Sequence, residues 1–136
     1  MDLIFKKEEL NLAVKLILKQ HSCKVIRIDG PMGAGKTTLI SALCKHLCVE
    51  ETVSSPSFSL VNNYKGGNGP IYHFDFYRLS NEMEAVQSGL DEMIDSGNTC
   101  LIEWAERIMK LLPESYVRVN ISITGVNSRK IEITKV

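Results

Sequence analysis

Residues 28–39 read Ile28-Asp29-Gly30-Pro31-Met32-Gly33-Ala34-Gly35-Lys36-Thr37-Thr38-Leu39, with three glycines and a lysine between an apolar run and a stretch of helical spacing. Glycine inside a regular element costs about 0.5–1 kcal/mol relative to alanine, so the cluster needs a compensating role. Gly30, four residues, then Gly35-Lys36-Thr37 matches the phosphate-binding pattern G-x-x-x-x-G-K-[ST] without a mismatch. Glycines there let the backbone curl until successive N–H groups form an anion-binding nest. The following helix adds unpaired N–H groups and the positive end of its dipole. Lys36 is expected to reach the β- and γ-phosphates of a nucleotide, and the Thr37 hydroxyl to ligate Mg²⁺.

The flanks supply the context that this pattern requires. Lys24–Asp29 contains the β-branched residues Val25, Ile26 and Ile28 and reads as a short strand. Thr37–Leu47 places Leu39, Leu43 and Leu47 on one helical face, with Ile40 and Cys44 beside it.

The chain has 136 residues, the size of one domain, and its 16 basic and 16 acidic side chains cancel. No lysine/arginine block stands out, which argues against a strong independent grip on nucleic acid. Charges interrupt every turn of the N-terminal stretch, so neither a signal peptide nor a membrane span is expected there. Cys23, Cys44, Cys48 and Cys100 fall inside expected strands and helices, which fits a reducing cytoplasm better than a disulfide framework. On a helix, His46 points about 200° around the axis from Cys44, so Cys44, His46 and Cys48 do not converge on a metal.

Outside the glycine loop, Leu10, Val14, Ile17 and Leu18 predict an amphipathic helix over residues 7–21. Ser54, Ser55, Pro56 and Ser57 indicate a polar loop, either an ordinary turn or one that approaches a γ-phosphate. Residues 58–64 and 71–77 predict two strands joined by a loose turn, KGGNGP. Short helices are expected at Met83–Gln87 and Leu90–Ile94, a strand at Thr99–Trp104, and a helix from there through Leu112. Residues 116–136 alternate as a second hairpin around residues 125–128. Together these predict an α/β fold of three layers, like that of P-loop NTPases. Its mixed sheet has a parallel centre and antiparallel hairpins toward the edges.

Magnesium favours oxygen ligands, and Thr37 supplies one. Glu103, ending the apolar strand Cys100-Leu101-Ile102, is the candidate second contributor, directly or through a water, against a reading as a solvated strand end. Alternation puts His73, Asp75 and Tyr77 on one face of their strand. An aspartate among aromatics needs a partner or a task. Asp75 therefore either serves the metal's water shell or an attacking water, or is a plain hydrogen-bonded side chain. His73 reads as a packing histidine. Trp104 is either a core residue or a neighbour of the nucleotide or a partner.

Five ordered blocks, GPMGAGKTTL, SSPSFSLVNNY, YHFDFYRL, SGLDEMI and LIEWAER, resemble the successive motifs of the bacterial TsaE family. The resemblance spans residues 25–107 and implies a small ATPase of the pathway that makes threonylcarbamoyladenosine in tRNA. It implies ATP and Mg²⁺ as cofactors, TsaD and TsaB as partners, and contact with tRNA only through their complex. By motif, Gly33, Ala34, Gly35, Lys36, Thr37 and Thr38 would bind phosphates, Thr37 and Glu103 would serve Mg²⁺, and Lys36 and Asp75 would be catalytic. Trp104 and Arg107 match a family block without a role that chemistry supplies. Pro31 stands where the family commonly has aspartate and Ser57 where it has threonine; Pro31 removes one loop N–H. A small P-loop kinase has little room here for a lid and acceptor pocket, and no N-K-x-D guanine-reading element is present. A non-hydrolysing nucleotide-binding adaptor remains the other reading.

Overall fold

The computed structural model describes residues 1–20, 23–56 and 59–136. The strands are β1 (Asp2–Lys6), β2 (Val25–Asp29), β3 (Val61–Gly66), β4 (Gly69–Asp75), β5 (Thr99–Glu103), β6 (Val117–Gly125) and β7 (Ser128–Lys135). The α-helices are α1 (Leu10–Lys19), α2 (Lys36–His46), α3 (Glu82–Gln87) and α4 (Leu90–Ile94), with 3₁₀ turns at Lys7–Glu9 and Ala105–Leu111. Among the described residues the strands form one sheet in the order β1-β7-β6-β2-β5-β4-β3. Neighbours among β6, β2, β5 and β4 are parallel, whereas β3 at one edge and β7 and β1 at the other pair antiparallel. The expected parallel centre and antiparallel margins are both present.

Strand alternation builds the three layers. Ile26 and Ile28 of β2 and Leu101 of β5 pack on one side with Val14 and Ile17 of α1 and Leu39, Ile40 and Leu43 of α2. Val25, Phe74 and Ile102 face the other side, against Ala85, Leu90, Ile94 and Ile108. On that second side Arg27 and Asp29 are also buried, and the exposed Arg118 reaches in to them. Arg27 Nε donates to Asp29 Oδ1 at 2.9 Å, and Arg118 Nε donates to Asp29 Oδ2 at 2.8 Å.

Several local expectations need correction. Strand β1 was not anticipated from the sequence: it is an edge strand in which only Phe5 is buried, so its apolar signal is weak. The helix expected from Lys7 begins as a 3₁₀ turn and becomes α-helical at Leu10, and His21 lies outside the described residues. The expected loose turn is tight: only Gly67 and Asn68 separate β3 from β4, and Gly66 pairs with Gly69. Phe58 lies outside the described residues, while Ser59 and Leu60 precede β3, with Leu60 at φ 65°. The segment after β5 is 3₁₀ rather than a regular helix, with a break at Ile108 (φ −136°, ψ 36°). Among the described residues, no helix is long and apolar enough to cross a membrane.

Candidate functional site

The glycine loop leaves β2 beside β6. Gly30 runs so close to that neighbour that a Cβ there would sit 2.6 Å from the Ile121 carbonyl oxygen, which excludes any larger residue without a backbone shift. Gly33 and Gly35 instead have φ of 81° and 100°, the left-handed region that glycine enters without penalty. Ala34 closes the turn, its N–H donating to the Pro31 carbonyl at 3.2 Å. From β7, Arg129 Nε donates to the Ala34 carbonyl at 3.0 Å, and Arg129 Nη1 holds the Gly125 and Ser128 carbonyls. Helix α2 starts immediately after Gly35, whose carbonyl accepts the Leu39 N–H at 2.9 Å. The N–H groups of Gly35, Lys36, Thr37 and Thr38 find no acceptor among the described residues. Such orphan donors at a helix start form an anion site.

These groups face a cavity of about 430 Å³, lined by Met32, Gly33, Gly35, Lys36, Thr37, Thr38, Ser55, Asp75, Tyr77, Glu103 and Trp104. Its volume falls within the roughly 300–1,000 Å³ range of small-molecule sites. Every residue singled out from the sequence as a site residue is on this wall except Ala34, whose methyl is buried in the core. Lys36 is itself buried, and its Nζ lies 4.0 Å above the centre of the Trp104 ring. Among the described residues no carboxylate lies within ion-pair distance of it. A cation–π contact offsets only part of the cost of burying an ammonium group, and the Asp75 carboxylate attracts it from beyond ion-pair distance.

The carboxylates reach the cavity through strand register. Parallel pairing of β4 and β5 sets Asp75 opposite Glu103. Asp75 Oδ1 accepts the Tyr77 N–H at 3.0 Å. Burial pushes the Asp75 carboxyl above its ordinary pKa, and the Glu103 charge adds to this, against the opposing pull of the Tyr77 amide, His73 and Lys36. Glu103 is 3% exposed, and its Oε2 lies 2.8 Å from His73 Nε2. Two neighbouring carboxylates and the Thr37 hydroxyl make an all-oxygen donor set of the kind that a small hard cation takes. Chemically, the residues fit both a polyphosphate and Mg²⁺.

Trp104 resolves toward the cavity wall. It adopts φ 58°, ψ 42° at the end of β5, an uncommon conformation for a residue with a side chain. Its ring packs on Tyr77 with centroids 4.9 Å apart. From the serine loop, Ser55 Oγ hydrogen-bonds Thr37 Oγ1 at 2.8 Å, so this segment touches the first turn of α2; Ser57 lies outside the described residues. Arg107 is not on the cavity wall: its Nη1 donates to the Leu79 carbonyl at 3.3 Å. Arg78 lines an adjoining hollow with Met32, Ser55, Pro56, Asp75 and Tyr77. The residue that sequence reasoning undervalued is His73, which bonds Glu103 instead of merely packing. Its shared face with Asp75 was the available signal.

A strand, a glycine loop with left-handed glycines, an N-terminally open helix and strand-end carboxylates on a three-layer sheet define a P-loop-type α/β protein. The family model described as "Threonylcarbamoyl adenosine biosynthesis protein TsaE" matches residues 5–131, and the chain belongs to the TsaE family. It is 37% identical over 133 residues to the tRNA threonylcarbamoyladenosine biosynthesis protein TsaE of Rickettsia felis, covering 95% of this chain and 76% of that one. Against the Bacillus subtilis protein of the same name, identity is 37% over 112 residues, covering 82% and 70%. Against that of a Nostoc species it is 38% over 135 residues, covering 95% and 81%. The fold matches the crystal structure of Bacillus subtilis YdiB with a TM-score of 0.69 and 27% identity, over 99% of this chain and 85% of that one.

Proposed function

We propose that this chain is a Mg²⁺-dependent ATPase that acts with TsaD and TsaB in the threonylcarbamoyladenosine modification of tRNA, in the cytoplasm. The observation that carries the nucleotide part is Lys36, a buried ammonium with no carboxylate within ion-pair distance among the described residues, at the mouth of a helix with unpaired amides. In this reading the amides of residues 35–38 cradle phosphate oxygens and Lys36 neutralises charge on the β- and γ-phosphates. Thr37 and Glu103 would hold Mg²⁺, whose chemistry is to neutralise and orient the phosphates. Asp75 sits where a carboxylate can orient or accept a proton from an attacking water, and its raised pKa favours the proton-accepting role.

The partner and tRNA parts rest on family membership and on what the chain does not carry. Its formal net charge is zero, so tRNA contact falls to other subunits. Among the described residues, no arginine lines the nucleotide-sized cavity. In P-loop enzymes an arginine supplied in trans is worth about 10³–10⁵ in rate; a partner that orders the serine loop would act to the same end. The test is phosphate release from ATP by this chain alone, with TsaD–TsaB, and with both plus tRNA. Slow release alone and acceleration by the pair are expected. Partners that neither bind the chain nor change its rate would refute the assignment to this machinery.

A further inference from the structure

Behind Glu103 lies a buried chain of hydrogen bonds that the nucleotide reading does not use. His73 is fully buried and engaged at both ring nitrogens: Nε2 is 2.8 Å from Glu103 Oε2, and Nδ1 is 3.3 Å from the Tyr64 hydroxyl. Tyr64 lies on the neighbouring strand β3, on the same face, and is 5% exposed. Its hydroxyl is 2.9 Å from the Ser54 carbonyl, and it accepts the Ser54 N–H at 3.2 Å and Asn62 Nδ2 at 3.1 Å. The next residue, Ser55, reaches Thr37 Oγ1 at 2.8 Å. The chain thus begins at Thr37, one candidate magnesium-side residue, and ends at Glu103, the other.

The chemistry sets the direction of the bond at the Glu103 end. A carboxylate only accepts, so His73 Nε2 carries the proton shared with Glu103. Nδ1 of a neutral ring is then an acceptor that faces the Tyr64 hydroxyl, whose one proton is shared between Nδ1 at 3.3 Å and the Ser54 carbonyl at 2.9 Å. When that proton turns to Nδ1 the Ser54 carbonyl keeps a donor, because Asn62 Nδ2 also lies 2.9 Å from it. A histidine retained for packing alone would need neither polar partner, whereas a carboxylate aimed at a metal needs its rotamer held.

We propose that His73 is the positioning residue for Glu103, and that through Tyr64 it ties Glu103 to the serine loop that touches Thr37. The proposal rests on the reading of Glu103 as a magnesium-side residue. Its consequence is that metal affinity depends on two residues that line neither the loop nor the cavity.

Trp104 is the only tryptophan and sits over Lys36, so its emission reports on the site directly. The experiment titrates Mg²⁺ into the protein with ADP present, and separately titrates ADP without Mg²⁺, reading Trp104 fluorescence alongside the melting temperature. If Mg²⁺ does not affect ADP binding to the wild type, it is the reading of the site that fails, along with the proposal built on it. Given a wild-type dependence, His73→Leu should raise the Mg²⁺ midpoint about 10–100-fold while changing Mg²⁺-free ADP binding less than about threefold. His73→Gln, whose side-chain N–H can still reach Glu103, should recover most of that loss. Tyr64→Phe should shift the midpoint the same way by about two- to tenfold, the worth of one hydrogen bond. A wild-type midpoint in folded His73→Leu overturns the proposal, as does an equal loss of ADP binding with and without Mg²⁺. If His73→Leu does not fold, Tyr64→Phe decides: a raised midpoint supports the relay and an unchanged one refutes it.

Discussion

Replacing Lys36 with methionine keeps an unbranched stem, one atom shorter, while removing the buried charge and its cation–π contact with Trp104. At nucleotide a hundredfold above its dissociation constant, the wild type should gain about 2.7 kcal/mol of stability. A charged hydrogen bond to phosphate is worth about 1.5–3 kcal/mol, or roughly 10–150-fold in affinity. A hundredfold weakening at the same nucleotide concentration leaves about 0.4 kcal/mol. For 136 residues the unfolding entropy is about 0.29 kcal/mol/K. The ligand-induced rise in melting temperature should therefore shrink from about 9 °C to about 1.5 °C. The unliganded variant should melt no lower than about a degree below wild type, because the desolvated ammonium is gone. Scanning calorimetry with and without Mg²⁺-ADP measures both. A Lys36→Met protein with the full wild-type shift would refute the assignment of phosphate binding to this loop.

Glu103→Gln should lose most of the Mg²⁺ dependence of nucleotide binding, whereas Asp75→Asn should reduce turnover far more than binding; calorimetric binding and phosphate release separate the two. Asp29→Ala strands Arg27, which is buried beside it, and should destabilise the fold by about 3 kcal/mol in urea unfolding. Burial pushes the Cys44 thiol up to about 11 and the Cys100 thiol up to about 12. Below the ordinary thiol value near 9 both states keep these protons; above it the unfolded chain ionises first. Stability should therefore be lost as pH rises from about 9 toward those values, read as a falling urea midpoint. Native alkylation at pH 8.5 should modify the exposed Cys48 and spare Cys44 and Cys100.

What could be read from the sequence is what is local. The loop from Gly30 to Thr37 carries its own geometry, because the glycine requirement and the helix start lie within a few residues. Parallel centre and antiparallel margins followed from helical spacing early in the chain and hairpins later. Strand β1 was hidden because an edge strand with one buried residue leaves little alternation. The segment after β5 has helical spacing in its sequence, and the left-handed turn at Trp104, which sets its entry as a 3₁₀ segment, has no glycine to mark it. His73 was undervalued for a different reason. Its partner lies 30 residues away, and only the β4–β5 register brings them together. Its face with Asp75 was legible, but the strand that would lie beside it was not.

The most direct test of the account is a crystal structure of the chain with ADP and Mn²⁺, the metal located by its anomalous signal. The β-phosphate should lie on the amides of residues 35–38 and Lys36, with the metal on Thr37 Oγ1 and Glu103 beside it, directly or through a water. Nucleotide bound away from the 33–38 loop, or a metal far from both Thr37 and Glu103, would contradict it.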